Sequence, residues 1–188
     1  MLSQPLVVPP FHFATVEEGV FRGAYPTLHN FTFLKRLHLK SIISLIPEPA
    51  SGDLLEFCEH FNIRRYYFHQ KKYDESVKIS PTAVSQILTL IINPANLPVY
   101  IHCLDGRNIT GLIIMCLRKL QYWNTRSIYQ EHTMASHDSE VSSDEKEFLS
   151  SFLGDITLSR SAQLPAFLWG GTVQFARHPT MKVNIVTS

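Results

Sequence analysis

At 188 residues, with 45% apolar and 18% charged side chains, the chain has enough apolar material for one globular domain with a real core. A formal net charge of +1 supplies no basic field for nucleic acid or an anionic membrane surface, so neither is expected as a partner. Cys58, Cys103 and Cys116 have no metal-ligand spacing, and their odd number fits a reducing, cytoplasmic setting. No metal and no cofactor are expected.

In chain order, residues 1–10 carry three prolines and read as an irregular lead-in without a secretory signal. Gly19 to Gly23 suggests a short strand, and Asn30 a cap for a helix running to Leu39. The β-branched run Ser41 to Ile46 predicts a buried strand, stopped by Pro47 and Pro49. Asp53 is placed to cap a helix to about Phe61, and Arg64 to His69 forms the next strand. Ser80-Pro81 opens a helix to about Ile92, with the proline at the first helical position. Val99 to His102 is again strand. Helices are expected over Thr110 to Gln121, Asn124 to Ala135 and Ser143 to Phe152, the last preceded by a capping-box pattern, Ser142-Ser143-Asp144-Glu145. The polar stretch between Ala135 and Ser143 reads as a loop. No apolar run is long enough to span a bilayer.

Strands alternating with helices predict an α/β fold: a mostly parallel sheet of four or five strands flanked by helices, over about residues 11–155. Residues 156–188 form an extension rich in apolar and aromatic side chains. Phe167, Trp169 and Phe175 there are candidates either to anchor a partner or to cover the domain itself.

The chemistry concentrates in His102-Cys103-Leu104-Asp105-Gly106-Arg107-Asn108-Ile109-Thr110-Gly111. An apolar strand runs into this segment and an apolar helix runs out, which places Cys103 beyond the carboxyl end of a strand, where ligands of such sheets bind. This is the layout of a cysteine-phosphatase loop, residues Leu104 to Thr110 forming the phosphate cradle. Four requirements apply. The thiol must ionise near neutral pH, helped by a helix N-terminus, and Cys103 has that position. The backbone must curl with its amides inward, a need Gly106 and Gly111 serve. A hydroxyl commonly steadies the thiolate, and Thr110 is placed for it. The fourth is a bidentate, permanently charged arginine six positions after the cysteine, where this chain has Ile109. Loss of an arginine that stabilises a phosphoryl-transfer transition state costs roughly 10³–10⁵ in rate in nucleotide hydrolases. Arg107 supplies a charge two positions earlier, although neighbouring positions of such a loop point in different directions.

With these residues stand Val20-Phe21-Arg22-Gly23-Ala24-Tyr25-Pro26, Leu39-Lys40-Ser41-Ile42-Ile43-Ser44-Leu45-Ile46-Pro47-Glu48 and Asn93-Pro94-Ala95-Asn96-Leu97-Pro98. Together they make the chain resemble the plant and fungal atypical dual-specificity phosphatases, and within them the fungal oxidant-induced cell-cycle-arrest, tyrosine-phosphatase-like proteins. The resemblance implies a dual-specificity-phosphatase-like fold and activity on phosphotyrosine or inositol pyrophosphate, cleaving the 5-β-phosphate. It carries the nucleophile to Cys103, the supporting hydroxyl to Thr110, a basic phosphate contact to Arg107 and a general acid to Asp74; the essential arginine has no counterpart. It further implies homologous phosphatase-like subunits as partners, and a phosphate-rich small molecule or phosphoprotein as ligand. Three readings stay open: a pseudophosphatase subunit that binds an anion, an active phosphatase with a rearranged arginine, and a scaffold without a ligand.

Overall fold

The computed structural model describes residues 7–72, 74, 76–138 and 140–186; the first six residues of the lead-in lie outside them. Five strands form the central sheet: β1 (Ala14–Glu17), β2 (Val20–Gly23), β3 (Ser41–Ile46), β4 (Arg64–His69) and β5 (Val99–His102), in the order β1-β2-β5-β3-β4. Only the β1–β2 pair is antiparallel. The sheet is the expected α/β arrangement, with β1 as an added edge strand of four residues, too short for its pattern to stand out.

Both central strands, β3 and β5, are buried throughout. They are sandwiched between two apolar clusters, and this is why Ser-Ile-Ile-Ser-Leu-Ile reads as a run rather than an alternation. One cluster joins α1 (Leu28–Lys35) and α2 (Gly52–His60) through Leu34, Leu54, Phe57 and Cys58. The larger one takes α3 (Pro81–Ile91), α4 (Asn108–Leu120), α5 (Thr125–Ser136) and α6 (Ser143–Ser151). Ile113, Met115, Leu117 and Leu120 of α4 are all buried there, each stabilising the fold by about 1.5–3 kcal/mol.

Several helix starts differ from expectation. Helix α2 has Ser51 at its cap position, with Asp53 inside the first turn. In α1 the cap is Thr27, and Asn30 sits three residues in, its side chain accepting from the Thr27 amide at 2.9 Å. That helix ends at Lys35 instead of Leu39, because the chain turns through His38 (φ 49°) to bring Lys40 N–H onto the Pro98 carbonyl beside β5. Helix α4 begins two residues before Thr110. Ser80 and Ser142 cap α3 and α6 as expected, and Asn124, expected inside α5, is its cap, each side-chain oxygen accepting from a first-turn amide.

Beyond α6 the chain forms a separate two-stranded parallel sheet, β6 (Ile156–Ser159) with β7 (Val183–Val186). Between them lies an aromatic cluster of Trp169, Phe175 and His178 around Tyr122. The Trp169 indole N–H donates to the Leu120 carbonyl (3.0 Å), and His178 Nε2 lies 3.0 Å from the same oxygen. A carbonyl orphaned at the end of α4 is thereby satisfied. Phe167, Trp169 and Phe175 are half-buried on the chain's own domain: Phe167 and Trp169 pack against the main core, and Phe175 meets Tyr122 and Trp169. Among the described residues, no helix is long and apolar enough to cross a membrane.

Candidate active site

Strand β5 delivers Cys103 at its carboxyl end, between β2 and β3, and the chain then curls through Leu104 to Arg107 into α4. Gly106 makes the curl feasible. Its φ is +75°, and a Cβ there would lie 2.3 Å from the Gly23 carbonyl carbon and 2.4 Å from the Ala24 nitrogen. Both are backbone atoms, so the approach of loop to β2 admits glycine alone.

Buried polar side chains hold the underside of the loop, while the buried Arg22 Nε has no hydrogen-bond partner among the described residues. Arg22, 2% exposed, donates from one guanidinium nitrogen to the carbonyls of Gly106 (2.9 Å) and Arg107 (3.0 Å). Burial lowers its pKa, against the raising influence of Cys103, Glu131 and Asp105. The Tyr100 hydroxyl, its pKa pushed well up by burial, donates to the Ala24 carbonyl (2.6 Å). His102 lies with Nε2 2.8 Å from the Ser44 hydroxyl, and complete burial brings its pKa down to about 4, so the ring is neutral. Leu104, itself exposed, accepts from the Tyr25 amide (3.2 Å), and His12 Nδ1 lies 2.7 Å from the Asp105 carbonyl. Nothing local in the sequence assigns Tyr100, Ser44 or His12 to the site. An arginine inside the apolar strand Val20-Phe21-Arg22-Gly23 was the one local sign.

At Cys103 the Gly106 amide donates to the sulfur (3.2 Å), as expected of an anion cradle. The thiol, however, points its hydrogen at Asp105 Oδ1, 3.3 Å away, and the same oxygen accepts from the Arg107 amide (3.0 Å). Burial pushes the Cys103 thiol up and Asp105 adds to the rise; the Thr110 hydroxyl and amide pull it down without prevailing. An ionised thiol near neutral pH, expected from the helix N-terminus, is therefore not what the arrangement favours. The buried Thr110 hydroxyl has no other hydrogen-bond partner among the described residues.

The remaining site residues disperse. Arg107 turns outward, donating from Nε to the Ser136 carbonyl (2.6 Å) and pairing with Asp138, which also accepts from the Asn108 amide group (3.3 Å). Ile109 packs on the main core and lines a cleft with Gln70, Lys71, Lys72, Lys78 and Asn108. Asp74 is exposed, and hydrogen bonds from Lys78 first and Ser76 second hold its carboxyl below the usual range, the reverse of what a general acid needs at neutral pH. Cys58 and Cys116 are free and buried, burial pushing Cys58 up to about 11. The described residues contain no cluster of His, Cys, Asp or Glu able to hold a metal ion.

A strand that presents a cysteine beneath a glycine-turned loop, at the head of an apolar helix in a mixed α/β sheet, defines a cysteine-phosphatase-type protein. The chain belongs to the tyrosine phosphatase family, whose model matches residues 7–170. It is 38% identical over 128 residues to inositol diphosphatase DSP3 of Arabidopsis thaliana, covering 68% of this chain and 63% of that protein. It is 33% identical over 165 residues to OCA6 of Saccharomyces cerevisiae, named provisionally as a tyrosine-protein phosphatase, covering 80% and 73%. The chain thus spans less than two thirds of the length of the plant relative. Its fold matches the crystal structure of the core catalytic domain of the PP-IP phosphatase SIW14 from S. cerevisiae, in complex with citrate. That match has a TM-score of 0.72 at 33% identity, over 78% of this chain and 88% of the other.

Proposed function

We propose that this chain is a pseudophosphatase: a phosphatase-fold subunit with little or no turnover that binds partners and a phosphate-rich small molecule or phosphoprotein at the Cys103 loop. Ile109 carries the reading. A hydrocarbon stands where the reaction needs a guanidinium, and Arg107, the nearest substitute, is held by Ser136 and Asp138. A loss of roughly 10³–10⁵ in rate follows from the missing arginine alone. The thiol hydrogen-bonded to Asp105 and the lowered Asp74 act in the same direction. Binding suffers less, because the Gly106 amide still faces the sulfur and Lys71, Lys72 and Lys78 line the adjoining cleft. Homologous phosphatase-like subunits in the cytoplasm are the partners this role implies.

The second reading is an active phosphatase on inositol pyrophosphate or phosphotyrosine with Cys103 as nucleophile; the names of the inositol diphosphatase relatives favour it. One experiment separates the two. Wild type, Cys103→Ser and Ile109→Arg are assayed against an inositol pyrophosphate and an aryl phosphate. We expect wild type to match Cys103→Ser, and Ile109→Arg to gain hydrolysis by about 10² or more. Robust wild-type turnover abolished by Cys103→Ser would overturn the pseudophosphatase. Inositol hexakisphosphate at about 100 times its Kd should add about 2.7 kcal/mol of stability; no shift at any concentration would leave only the scaffold.

A further inference from the structure

We infer that Asp105 is the loop's own anion: its carboxylate occupies the hollow a ligand oxyanion would enter, holds Cys103 in its thiol form and competes with phosphate-bearing ligands. This rests on the proposal that the Cys103 loop is an anion cradle, and it names how that cradle is regulated.

The geometry is specific. An aspartate two residues before an amide often accepts from it in a simple turn, and Asp105 does so with Arg107 N–H at 3.0 Å. Here the same Oδ1 also takes the Cys103 thiol hydrogen at 3.3 Å. One oxygen therefore satisfies both the sulfur and a loop amide, the two kinds of group that a cradle of this type offers to a bound oxyanion.

Lys71, Lys72 and Lys78 line the adjoining cleft, but among the described residues no cationic side chain forms a hydrogen bond or ion pair with the Asp105 carboxylate. Arg107 is engaged by Asp138, and position 109 carries no charge. Arg22 from β2 lies below the loop, one of its guanidinium nitrogens donating to the Gly106 and Arg107 carbonyls. From β5 come Tyr100 and the neutral His102, from α5 Glu131 acts on Arg22, and from the lead-in the His12 ring touches the Asp105 carbonyl. An incoming phosphate meets a carboxylate already seated on its donors. It must displace that carboxylate or take it protonated, and either way binding strengthens when the charge is removed.

The test uses the full chain with Asp105→Asn, which keeps the acceptor oxygen and removes the charge, and Asp105→Ser as a second variant should the first fail to fold. Carbamidomethylation of Cys103 by iodoacetamide is followed across pH by mass spectrometry, with buried Cys58 and Cys116 as internal references. We expect the pH midpoint to fall by about one unit, with alkylation near neutral pH about tenfold faster than in wild type. Sulfate should raise the thermal midpoint of the variant at concentrations about tenfold lower than for wild type. A midpoint unchanged in both variants, or equal sulfate dependence, would overturn the inference and reduce Asp105 to a turn residue. Neither readout involves hydrolysis. Wild-type turnover would sink the pseudophosphatase while leaving the alkylation result to decide Asp105 separately.

Discussion

Beneath the loop, Arg22 spans two carbonyls, Tyr100 closes on Ala24, His102 meets Ser44 and Gly106 lies against the backbone of β2. Above it, Ile109 cannot hydrogen-bond, Arg107 is turned toward Asp138, and Asp105 puts a carboxylate on the thiol. The two sides of one ten-residue segment are thus built for different ends. The lower side fixes backbone shape, which a binding protein needs as much as an enzyme does. The upper side carries the positions that would face a bound phosphoryl group, and on it the proposed loss of turnover rests.

If that division is right, changes below the loop should cost more stability than changes above it. Gly106→Ala is the most severe. Its methyl would overlap the backbone of Gly23 and Ala24 in a backbone conformation that disfavours any side chain, and we expect a loss of about 3–5 kcal/mol in urea unfolding. A loss under about 1 kcal/mol would mean that the loop is soft and the contrast false. Arg22→Met should follow at about 2–4 kcal/mol, because two buried carbonyls lose their donor. An unchanged midpoint would show water standing in for the guanidinium.

Acid provides the third probe. An unfolded histidine takes up its proton near pH 6.5, whereas His102 does so only near about 4. Its folded value is depressed, so the neutral ring contributes stability that is complete above pH 6.5 and is lost as the pH falls toward 4. The slope should reach at most about 1.4 kcal/mol per pH unit, and His178, also lowered by burial, acts in the same sense. Urea midpoints that stay level across this interval, or that fall equally in His102→Gln, would show that another group dominates. Smallest is Arg107→Gln at the mouth. Its ion pair is about one-third exposed on each side, so we expect about 0.5–1 kcal/mol and no change in sulfate binding. A tenfold weaker sulfate interaction would mean that the guanidinium swings over the thiol after all.

What could be read from the chain was whatever local chemistry dictates. Ser41–Ile46, Arg64–His69 and Val99–His102 are strands over the predicted residues, because β-branched and aromatic runs bounded by prolines and caps have few other options. Ser80 and Ser142 cap their helices through side-chain oxygens that reach amides only three residues on. The site's composition was legible for the same reason: cysteine, glycine, threonine and the absent arginine lie within eight consecutive positions. Tertiary structure alone decided how those groups are used. Arg22 reaches Gly106 across 84 positions, Arg107 finds Asp138 across 31, and the fold selects which way the Asp105 carboxylate turns. Hydrogen bonds between distant segments depend on which atoms packing brings within about 3 Å, and neither periodicity nor propensity encodes that distance.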